Sequence, residues 1–391
     1  MTSQTPTLRQ TPFALPTFNR ESVIVSLLAI LTLVGGIAGV GRLFLGLGST
    51  TALSDVYSWG IWIGFDFLLI ALSGVGFTMA AVVHVLHLEQ FKPALRPAIL
   101  FGLLGYVAVL LLLVLDLGRP DRFYHFILFW NVHSPLFEIS WCVLLYTTVL
   151  AIEVSPYLSE RLGWRKPLAW FFRLITPVTI VGVTLSSLHQ STLGTLYLNM
   201  PHRLHALWYT PLLPLLFFVS SVLAGLSVAM LVYQVAVRIR RKPLETSVLT
   251  GLGKGVAGVA LFYLLLKLAD ILIAGKVAAL FAFDRPSWLM WAELLPGVLL
   301  PALLLGLPSL RRKPLMWWVA PLLVVVFAIG LNRFNATLFA QVNLPGDALY
   351  TPHLLEWLST FGILSAAALA WYVGMRLLVI FDSRAEKEFG H

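Results

Sequence analysis

The chain has 391 residues, of which 59% are hydrophobic and only 12% are charged. A soluble domain has too little interior to bury that much apolar surface, so the composition indicates a membrane protein. Apolar runs of helical length favour an all-α polytopic fold over a β-barrel. The formal net charge of +9 does not indicate nucleic-acid binding, because the basic residues lie in short connections beside the apolar runs.

Ten apolar runs are long enough to cross a bilayer as helices. In chain order, the predicted spans are 22–45, 58–88, 95–117, 134–155, 167–189, 211–237, 248–274, 287–307, 314–333 and 353–380. Prolines begin several of these runs, where the missing N–H costs no hydrogen bond. We expect one transmembrane domain over 22–380, built from two four-helix bundles with flanking helices, and two tails, 1–21 and 381–391.

The basic residues are distributed unequally between the two sets of connections. The tails and the connections after even-numbered spans hold sixteen Lys and Arg residues, against five in the connections after odd-numbered spans. Because cytoplasmic connections carry the excess of positive charge, both tails are predicted to be cytoplasmic. Seven tryptophans then form a belt at the outer surface: Trp59, Trp62, Trp130, Trp208, Trp288, Trp291 and Trp357.

Ionisable residues recur near the predicted outer ends of successive spans. An ionisable group in hydrocarbon is costly unless it is paired or hydrated, so such a group is a functional candidate. The members of this layer are Asp66, Asp116, Glu138, His189, Asp270 and Glu293. Their common depth predicts a polar site within one leaflet.

Glu138 and His189 are the strongest candidates for proton chemistry. Glu138 lies about one turn inside the fourth span, after His133 at its entrance, and a buried carboxyl there is suited to binding and releasing a proton. His189 is the last residue of a polar stripe on the fifth span. A histidine side chain ordinarily gains and loses its proton near neutral pH, which suits proton transfer. The alternatives are that His133 is only interfacial and that His189 caps the last carbonyls of its helix.

Asp66 and the turn after the third span are further candidates. Asp66 lies about two turns inside the second span, beyond Trp62, and either contributes to the polar site or pairs with a neighbouring helix. The turn contains Arg119, Asp121 and Arg122. It is interpreted either as a self-neutralised loop or as a docking surface for an extrinsic partner.

The seventh and eighth spans supply a weaker set of candidates. Lys267 and Asp270, three residues apart on one helix, are expected to neutralise each other rather than to relay protons. Glu293 adds an acid to the same layer. The inner leaflet carries few polar groups besides Glu153, Arg173, Lys254 and that pair, which favours a half-channel at most.

Resident metal groups are not expected in this chain. Cys142 is the one cysteine, so the chain alone cannot hold an iron–sulfur cluster or a cysteine zinc site. A transmembrane b-type haem requires facing histidines. Most histidines lie at or beyond helix ends, and His133 with His189 would supply one bis-histidine site at most, so no haem is expected.

Several segments resemble one known family, the NrfD/PsrC-like membrane subunits of respiratory iron–sulfur oxidoreductases. The turn 117–123, Leu-Gly-Arg-Pro-Asp-Arg-Phe, resembles that family's motif after a helix. The resemblance is greatest to the HybB-like membrane subunit of periplasm-facing nickel–iron hydrogenases. It rests on five stretches that recur in order, namely 59–66, 134–138, 160–164, 189–194 and 205–208.

The resemblance implies a haem-free anchor in the bacterial inner membrane that binds a quinone, menaquinone or ubiquinone, as its substrate. Its implied partners are a periplasmic ferredoxin-like iron–sulfur subunit and the large and small subunits of a nickel–iron hydrogenase. Asp66, Glu138 and His189 fall in segments that match the family's proposed quinone region, and Trp62 and His133 lie beside them. We therefore expect Glu138 and His189 to act on the quinone, with Asp66 supporting one of them.

Three other functions remain open. The resemblance is also compatible with the equivalent subunit of a polysulfide or nitrite reductase. Charges within helices are also typical of secondary transporters and of proton-translocating proteins, although no paired repeat or midplane cluster is visible. Finally, the polar layer of a simple membrane anchor would be only structural.

Overall fold

The computed structural model describes residues 20–342, 350–378 and 380–381. Within these residues the chain is helical apart from its connections and an isolated antiparallel bridge between Leu204 and Gln341. The long helices of this part are α1 (Arg20–Leu45), α2 (Ile61–Val85), α3 (Glu89–Asp116), α4 (Pro135–Leu162), α5 (Arg165–Leu198), α6 (Leu213–Arg240), α7 (Thr246–Ile273), α8 (Arg285–Gly306), α9 (Met316–Phe339) and α10 (Leu354–Leu377). The predicted tails 1–21 and 381–391 lie almost wholly outside the described residues.

The prediction of an all-α polytopic membrane protein is confirmed. Within the described residues, nine of the long helices are long and apolar enough to cross a membrane. The remaining one, α5, has 34 residues, more than any other, but carries a polar stripe. It continues to Leu198, so the predicted end at residue 189 was wrong. His189 therefore does not cap the end of its helix.

Short-range signals account for several helix ends. Pro135 is the first residue of α4, and Gly163, with φ 72°, ends the same helix in the left-handed region that glycine adopts at low cost. His353 and Glu356 form a reciprocal capping box at the start of α10. These caps bond backbone groups that would otherwise lack partners at the helix ends.

The helices pack as two bundles. In the first bundle α2 contacts α3, α3 contacts α4, α4 contacts α5, and α5 returns to α2. In the second, α6, α7, α8 and α9 form the same closed circuit, and α6 joins the bundles through α2, α3 and α5. The arrangement matches the predicted pair of four-helix bundles with α1 and α10 outside them.

Helices α1 and α10 pack against each other along the side of the first bundle. Their closest approach is at Gly35 and Gly362, where a Cβ atom on Gly35 would overlap the Gly362 Cα. Arg376 and Tyr372 of α10 also contact Glu21 of α1. Small residues are typical of such close helix crossings in membranes.

The two ends of the molecule differ in chemistry. We call the end reached by the connections after α1, α3, α5 and α7 the aromatic end, because most of the predicted tryptophan belt lies there. The opposite end, reached by the connections after α2, α4, α6 and α8, is called the basic end. That the aromatic end faces outward remains a prediction from the distribution of Lys and Arg.

Candidate functional site

Glu138 lies on the outside of the first bundle, in the first turn of α4 at the aromatic end. Its Oε1 accepts a 2.7 Å hydrogen bond from the Thr192 hydroxyl of α5. That hydroxyl also lies 2.8 Å from the carbonyl oxygen of Leu188, and its one hydrogen can serve only one acceptor at a time. The Glu138 carboxyl is exposed, so the expectation of a buried carboxyl at this position was wrong.

His189 lies one turn further in from Thr192 on the same face of α5 and is 0% exposed. Neither ring nitrogen has a hydrogen-bond partner among the described residues. The imidazole ring centroid is 5.9 Å from that of Tyr106 in α3, and Tyr106 in turn meets Tyr146 of α4 edge to face at 5.0 Å. The imidazole therefore lies beside the Tyr106 ring, which in turn packs against Tyr146.

A cluster of hydroxyl and amide groups continues from this histidine into the bundle. Ser186 lies near both the Tyr106 and the Tyr146 hydroxyls. Gln190 donates from its Nε2 to the carbonyl oxygen of Ile70 in α2 at 2.8 Å. The atoms of this polar cluster that have no partner within the described part of the chain are Ser73 Oγ, Tyr106 Oη, Tyr146 Oη, Ser186 Oγ and Gln190 Oε1.

Glycine makes room for the cluster where α2 and α3 meet. A Cβ atom on Gly105 would overlap the Ser73 hydroxyl oxygen. Any larger residue at position 105 would displace Ser73 or separate the two helices. The position therefore needs glycine for space rather than for an unusual backbone conformation.

Asp66 and Trp62 belong to a different side of the bundle. Trp62 donates from its Nε1 to the Ser359 hydroxyl of α10 at 3.1 Å. Asp66 is 1% exposed and interacts electrostatically with Asp116 at the end of α3. Within the described residues, no hydrogen bond joins Asp66 to Glu138 or His189, so the structure does not bring the expected supporting acid to them.

The connection after α3 is a surface feature of the aromatic end. Arg119 and Asp121 form a two-point ion pair, with Nε–Oδ1 and Nη2–Oδ2 distances of 3.0 and 2.9 Å. The guanidinium holds the pKa of the Asp121 carboxyl below its ordinary value. Arg122 and His133 are exposed in the same connection, so both are accessible to a partner.

Glu293 of α8 is the best-satisfied buried acid of the second bundle. It accepts hydrogen bonds from Trp208 Nε1 at 2.7 Å, from Asn332 Nδ2 at 3.0 Å and from Asn335 Nδ2 at 2.5 Å. Stretches of π-helix, Leu295–Leu299 and Asn335–Phe339, flank this network. Such irregular turns are frequent at functional sites.

The expected neutralisation of Lys267 by Asp270 was wrong. Asp270 instead pairs with Lys276 at 3.1 Å and accepts a 2.5 Å hydrogen bond from the Thr210 hydroxyl. Lys267 is 4% exposed and lines a small cavity together with Trp208 and Asn332. The spacing of residues along α7 did not predict the ion pair between Asp270 and Lys276, because Lys276 belongs to the connection that folds back over the end of α7.

Sequence reasoning missed Tyr106, Tyr146 and Ser73. Tyr146 was detectable, because it continues the series Glu138, Cys142, Tyr146 at four-residue intervals along α4. Tyr106 and Ser73 lie in uninterrupted apolar runs. Their place in the cluster depends on how α2 and α3 pack, which the sequence pattern does not indicate.

A bis-histidine haem has little support from the residues present. In the described part of the chain His189 is the one histidine that is fully buried, and its ring neighbour is a tyrosine. No group of three or more His, Cys, Asp or Glu side chains in that part is arranged to hold a metal ion. By contrast, the partnerless nitrogens and hydroxyls match the hydrogen-bonding needs of a quinone carbonyl.

Comparison with known proteins identifies the family. Residues 49–384 match the family described as polysulphide reductase, NrfD. The chain belongs to this family. Its NrfD-family relatives include the integral membrane subunit of a menaquinone reductase from Nitratidesulfovibrio vulgaris, which is 31% identical over 87% of this chain and 87% of that protein.

Two further NrfD-family relatives serve different enzymes. A probable Ni/Fe-hydrogenase 2 b-type cytochrome subunit from Escherichia coli is 30% identical over 87% of this chain and 88% of its own length. A putative membrane subunit of a dimethyl sulfoxide reductase from Halobacterium salinarum is 26% identical over 90% of both chains. Family and fold together identify a multi-pass protein of the bacterial inner membrane, of the type that serves quinone oxidoreductases.

Proposed function

We propose that this chain is the quinone-binding subunit of a respiratory complex and that its site lies between α4 and α5 near the aromatic end. One observation carries the proposal. Glu138 is exposed on the outside of the bundle, and it is bonded to Thr192, one turn from the buried His189. A lipid-soluble ligand approaching through the bilayer reaches this carboxyl first.

The chemistry of a quinone suits these groups. Reduction of a quinone to a quinol takes up two electrons and two protons, so the site needs both hydrogen-bonding and proton-transferring groups. Glu138 is positioned to exchange a proton with one carbonyl oxygen of the quinone. His189 and Tyr106 lie deeper in the bundle and provide further hydrogen-bonding groups. His133, Trp62 and Asp66 stay secondary candidates, since the structure directs Trp62 and Asp66 toward α10 and α3.

The partner is proposed to be a periplasmic ferredoxin-like iron–sulfur subunit that docks at the aromatic end. Arg119, Asp121 and Arg122 are exposed there and provide charged contacts. We favour a nickel–iron hydrogenase as the enzyme that this subunit serves, because the chain carries five HybB-like stretches and is 30% identical to a probable subunit of such an enzyme. A polysulfide or nitrite reductase is the alternative, and the partners that copurify with a tagged chain distinguish the two.

The test uses the complex purified with its natural partners. In Glu138→Gln and His189→Ala, we expect electron transfer from the enzyme's substrate to a quinone analogue to fall on the order of 100-fold. Reduction of a soluble dye by the partner enzyme should persist. Ser140→Ala is the matched control, because the Ser140 hydroxyl bonds only the carbonyl oxygen of Leu136 in its own helix. Normal quinone turnover in both variants would remove these residues from the site.

Proton-coupled transport in the second bundle is the second candidate function. It is supported by Lys267, a buried lysine that lines a cavity and makes no ion pair or hydrogen bond among the described residues. Asp270 and Glu293 are each already bonded. Uptake of a solute or of protons into liposomes that contain this chain alone would favour transport over a quinone site.

A further inference from the structure

We propose that the small cavity of the second bundle binds one small monovalent anion, of which chloride is the commonest, and that Lys267 is its charged partner. The anion would be a resident counter-ion, bound from the aqueous phase at the aromatic end. The proposal depends neither on the quinone site of the first bundle nor on transport through the second.

The cavity lies next to the connection between α5 and α6. That connection lines it with Leu204 and Trp208, while α7 supplies Tyr263 and Lys267, and α9 supplies Asn332. Its volume of about 10 Å³ is close to the space that one water molecule needs. The cavity therefore excludes an organic ligand such as a quinone. It admits a water molecule or, with small shifts of the lining side chains, a single halide ion.

Lys267 brings a positive charge to this cavity without a partner from the protein. The residue is 4% exposed, and among the described residues it has neither an ion pair nor a hydrogen bond. The two buried acids in the described part of this bundle are bonded elsewhere. Asp270 pairs with Lys276 at 3.1 Å, and Glu293 accepts three hydrogen bonds from neutral donors.

Arg333 of α9 adds a second buried cation that lacks a carboxylate partner. It is 0% exposed, and it donates to Asn332 Oδ1 at 2.7 Å and to the Ser220 hydroxyl at 2.8 Å. Its guanidinium carbon stands 3.9 Å from the centroid of the Phe217 ring, and its Nε has no partner among the described residues. All of these contacts are with neutral groups, and an arginine side chain keeps its proton in proteins. The positive charge therefore persists.

The charges around the cavity do not cancel. Within the described residues, the cations are Lys267, Lys276 and Arg333, and the acids are Asp270 and Glu293. One positive charge is in excess, and Lys267 carries it, because it has no protein partner. An uncompensated charge is costly in a protein interior within the membrane. A bound anion compensates it, whereas a bound water molecule leaves it uncompensated.

The polar groups of the lining suit an anion rather than a cation. The Tyr263 hydroxyl makes no hydrogen bond among the described residues, so its proton is available. The Asn332 amide gives one Nδ2 hydrogen to Glu293 and accepts at Oδ1 from Arg333, which leaves one N–H to donate. Trp208 gives its only N–H to Glu293. The cavity thus offers an ammonium, a hydroxyl and an amide N–H, and no described lining residue is an acid.

The connection between α5 and α6 separates this site from bulk water. Leu204 forms the isolated bridge with Gln341, and the His205 N–H donates to the carbonyl oxygen of Ala340 at 2.9 Å. These bonds hold the connection on the end of α9. An ion that enters from the aromatic end has to pass this backbone-bonded cover, so we expect it to exchange slowly.

The first test counts bound chloride in the purified complex by long equilibrium dialysis against radioactive chloride at neutral pH. Gluconate, which is too large for the cavity, keeps the ionic strength constant. We expect Lys267→Met to bind one chloride fewer per complex than the parent protein. Lys254→Met is the matched control, because Lys254 is an exposed lysine of the same helix, and it should bind chloride like the parent protein.

Two results of the dialysis would overturn the proposal. If the parent protein binds no saturable chloride, Lys267 meets only water. If Lys267→Met keeps every chloride that the parent protein binds, the anions lie elsewhere in the complex.

The second test uses stability, because a ligand that binds only the folded state raises the midpoint of unfolding. Replacing gluconate by chloride should raise the thermal midpoint of this chain in the parent complex and in Lys254→Met. The midpoint of Lys267→Met should stay unchanged. Bromide should act like chloride, whereas sulfate, which is larger and doubly charged, should not. An equal rise in Lys267→Met, or with sulfate, would indicate a surface effect and contradict the site.

Tyr263→Phe decides the question if Lys267→Met does not fold. The substitution removes one hydroxyl and keeps the volume of the ring, and it leaves every charge in place. Because one hydrogen bond to the anion is lost, we expect chloride to bind about fivefold more weakly. An affinity equal to that of the parent protein would overturn the proposal.

Discussion

At the scale of single residues, Glu293 of the second bundle and His189 of the first differ in how completely the protein bonds them. Glu293 has three donors within 3.0 Å, which is typical of a group held in one place. His189 has none among the described residues, which is typical of a site that receives its partners from water or a ligand. This contrast is why we assign the reaction to the first bundle.

Glu293→Gln tests the structural side of that contrast. The substituted amide group would turn a donor toward the donors of Trp208, Asn332 or Asn335, so one hydrogen bond is lost and a repulsion is gained. We expect the free energy of unfolding in detergent to fall by about 1–3 kcal/mol. Glu245→Gln, at the exposed start of α7, is the control and should change little. If Glu293→Gln unfolds like the parent protein, the network contributes nothing to stability.

Individual contacts were the least predictable feature from sequence. The intrahelical spacing of Lys267 and Asp270 indicated a pair, yet the ion pair is formed by Lys276 across the end of the helix. Likewise, Asp66 was expected to support Glu138 or His189, yet in the structure it interacts with Asp116 at the end of α3. Spacing predicts which residues share a face, but the choice of partner depends on how the helices are rotated in the bundle.

At the scale of helices, the sequence predicted correctly that ten long helices exist and in which order they follow one another. Six of the ten spans are bounded within three residues, because apolar length, prolines at helix starts and glycine at a helix end all agree. Helix α3 begins six residues before its predicted start, and α4 and α9 end seven and six residues after their predicted ends. The largest error is the end of α5, which was placed too early, since Gln190, Ser191 and Thr192 look like the end of an apolar span. Gln190 and Thr192 belong inside the helix, because they donate hydrogen bonds to Ile70 and Glu138 of neighbouring helices.

The contact between α1 and α10 offers a test at this scale. Gly35→Leu would place side-chain atoms where the backbone of Gly362 now lies, so α1 must separate from the bundle. We expect a loss of about 2–4 kcal/mol or more in unfolding free energy from overpacking and lost contacts. Gly36→Leu is the matched control, because a Cβ atom there meets nothing within 4 Å. Equal stability of the two variants would show that α1 is not held at this crossing.

At the scale of the whole molecule, the account that we propose divides the work between the two bundles. The first bundle, with its exposed carboxyl and open polar cluster, is suited to meet a quinone from the lipid. In the second bundle, Glu293 is fully bonded, and Lys267 lines a small cavity beside it. The relatives serve enzymes with different substrates, which fits a membrane subunit whose own task is quinone exchange.

The location of the quinone is the most direct test of this account. An azido-naphthoquinone photolabel, applied to membranes that contain the complex, should attach to peptides from 135–146 of α4 and 185–196 of α5. Excess menaquinone should suppress that labelling. Labelling that is equally suppressible but confined to peptides of α6 to α9 would contradict the central claim.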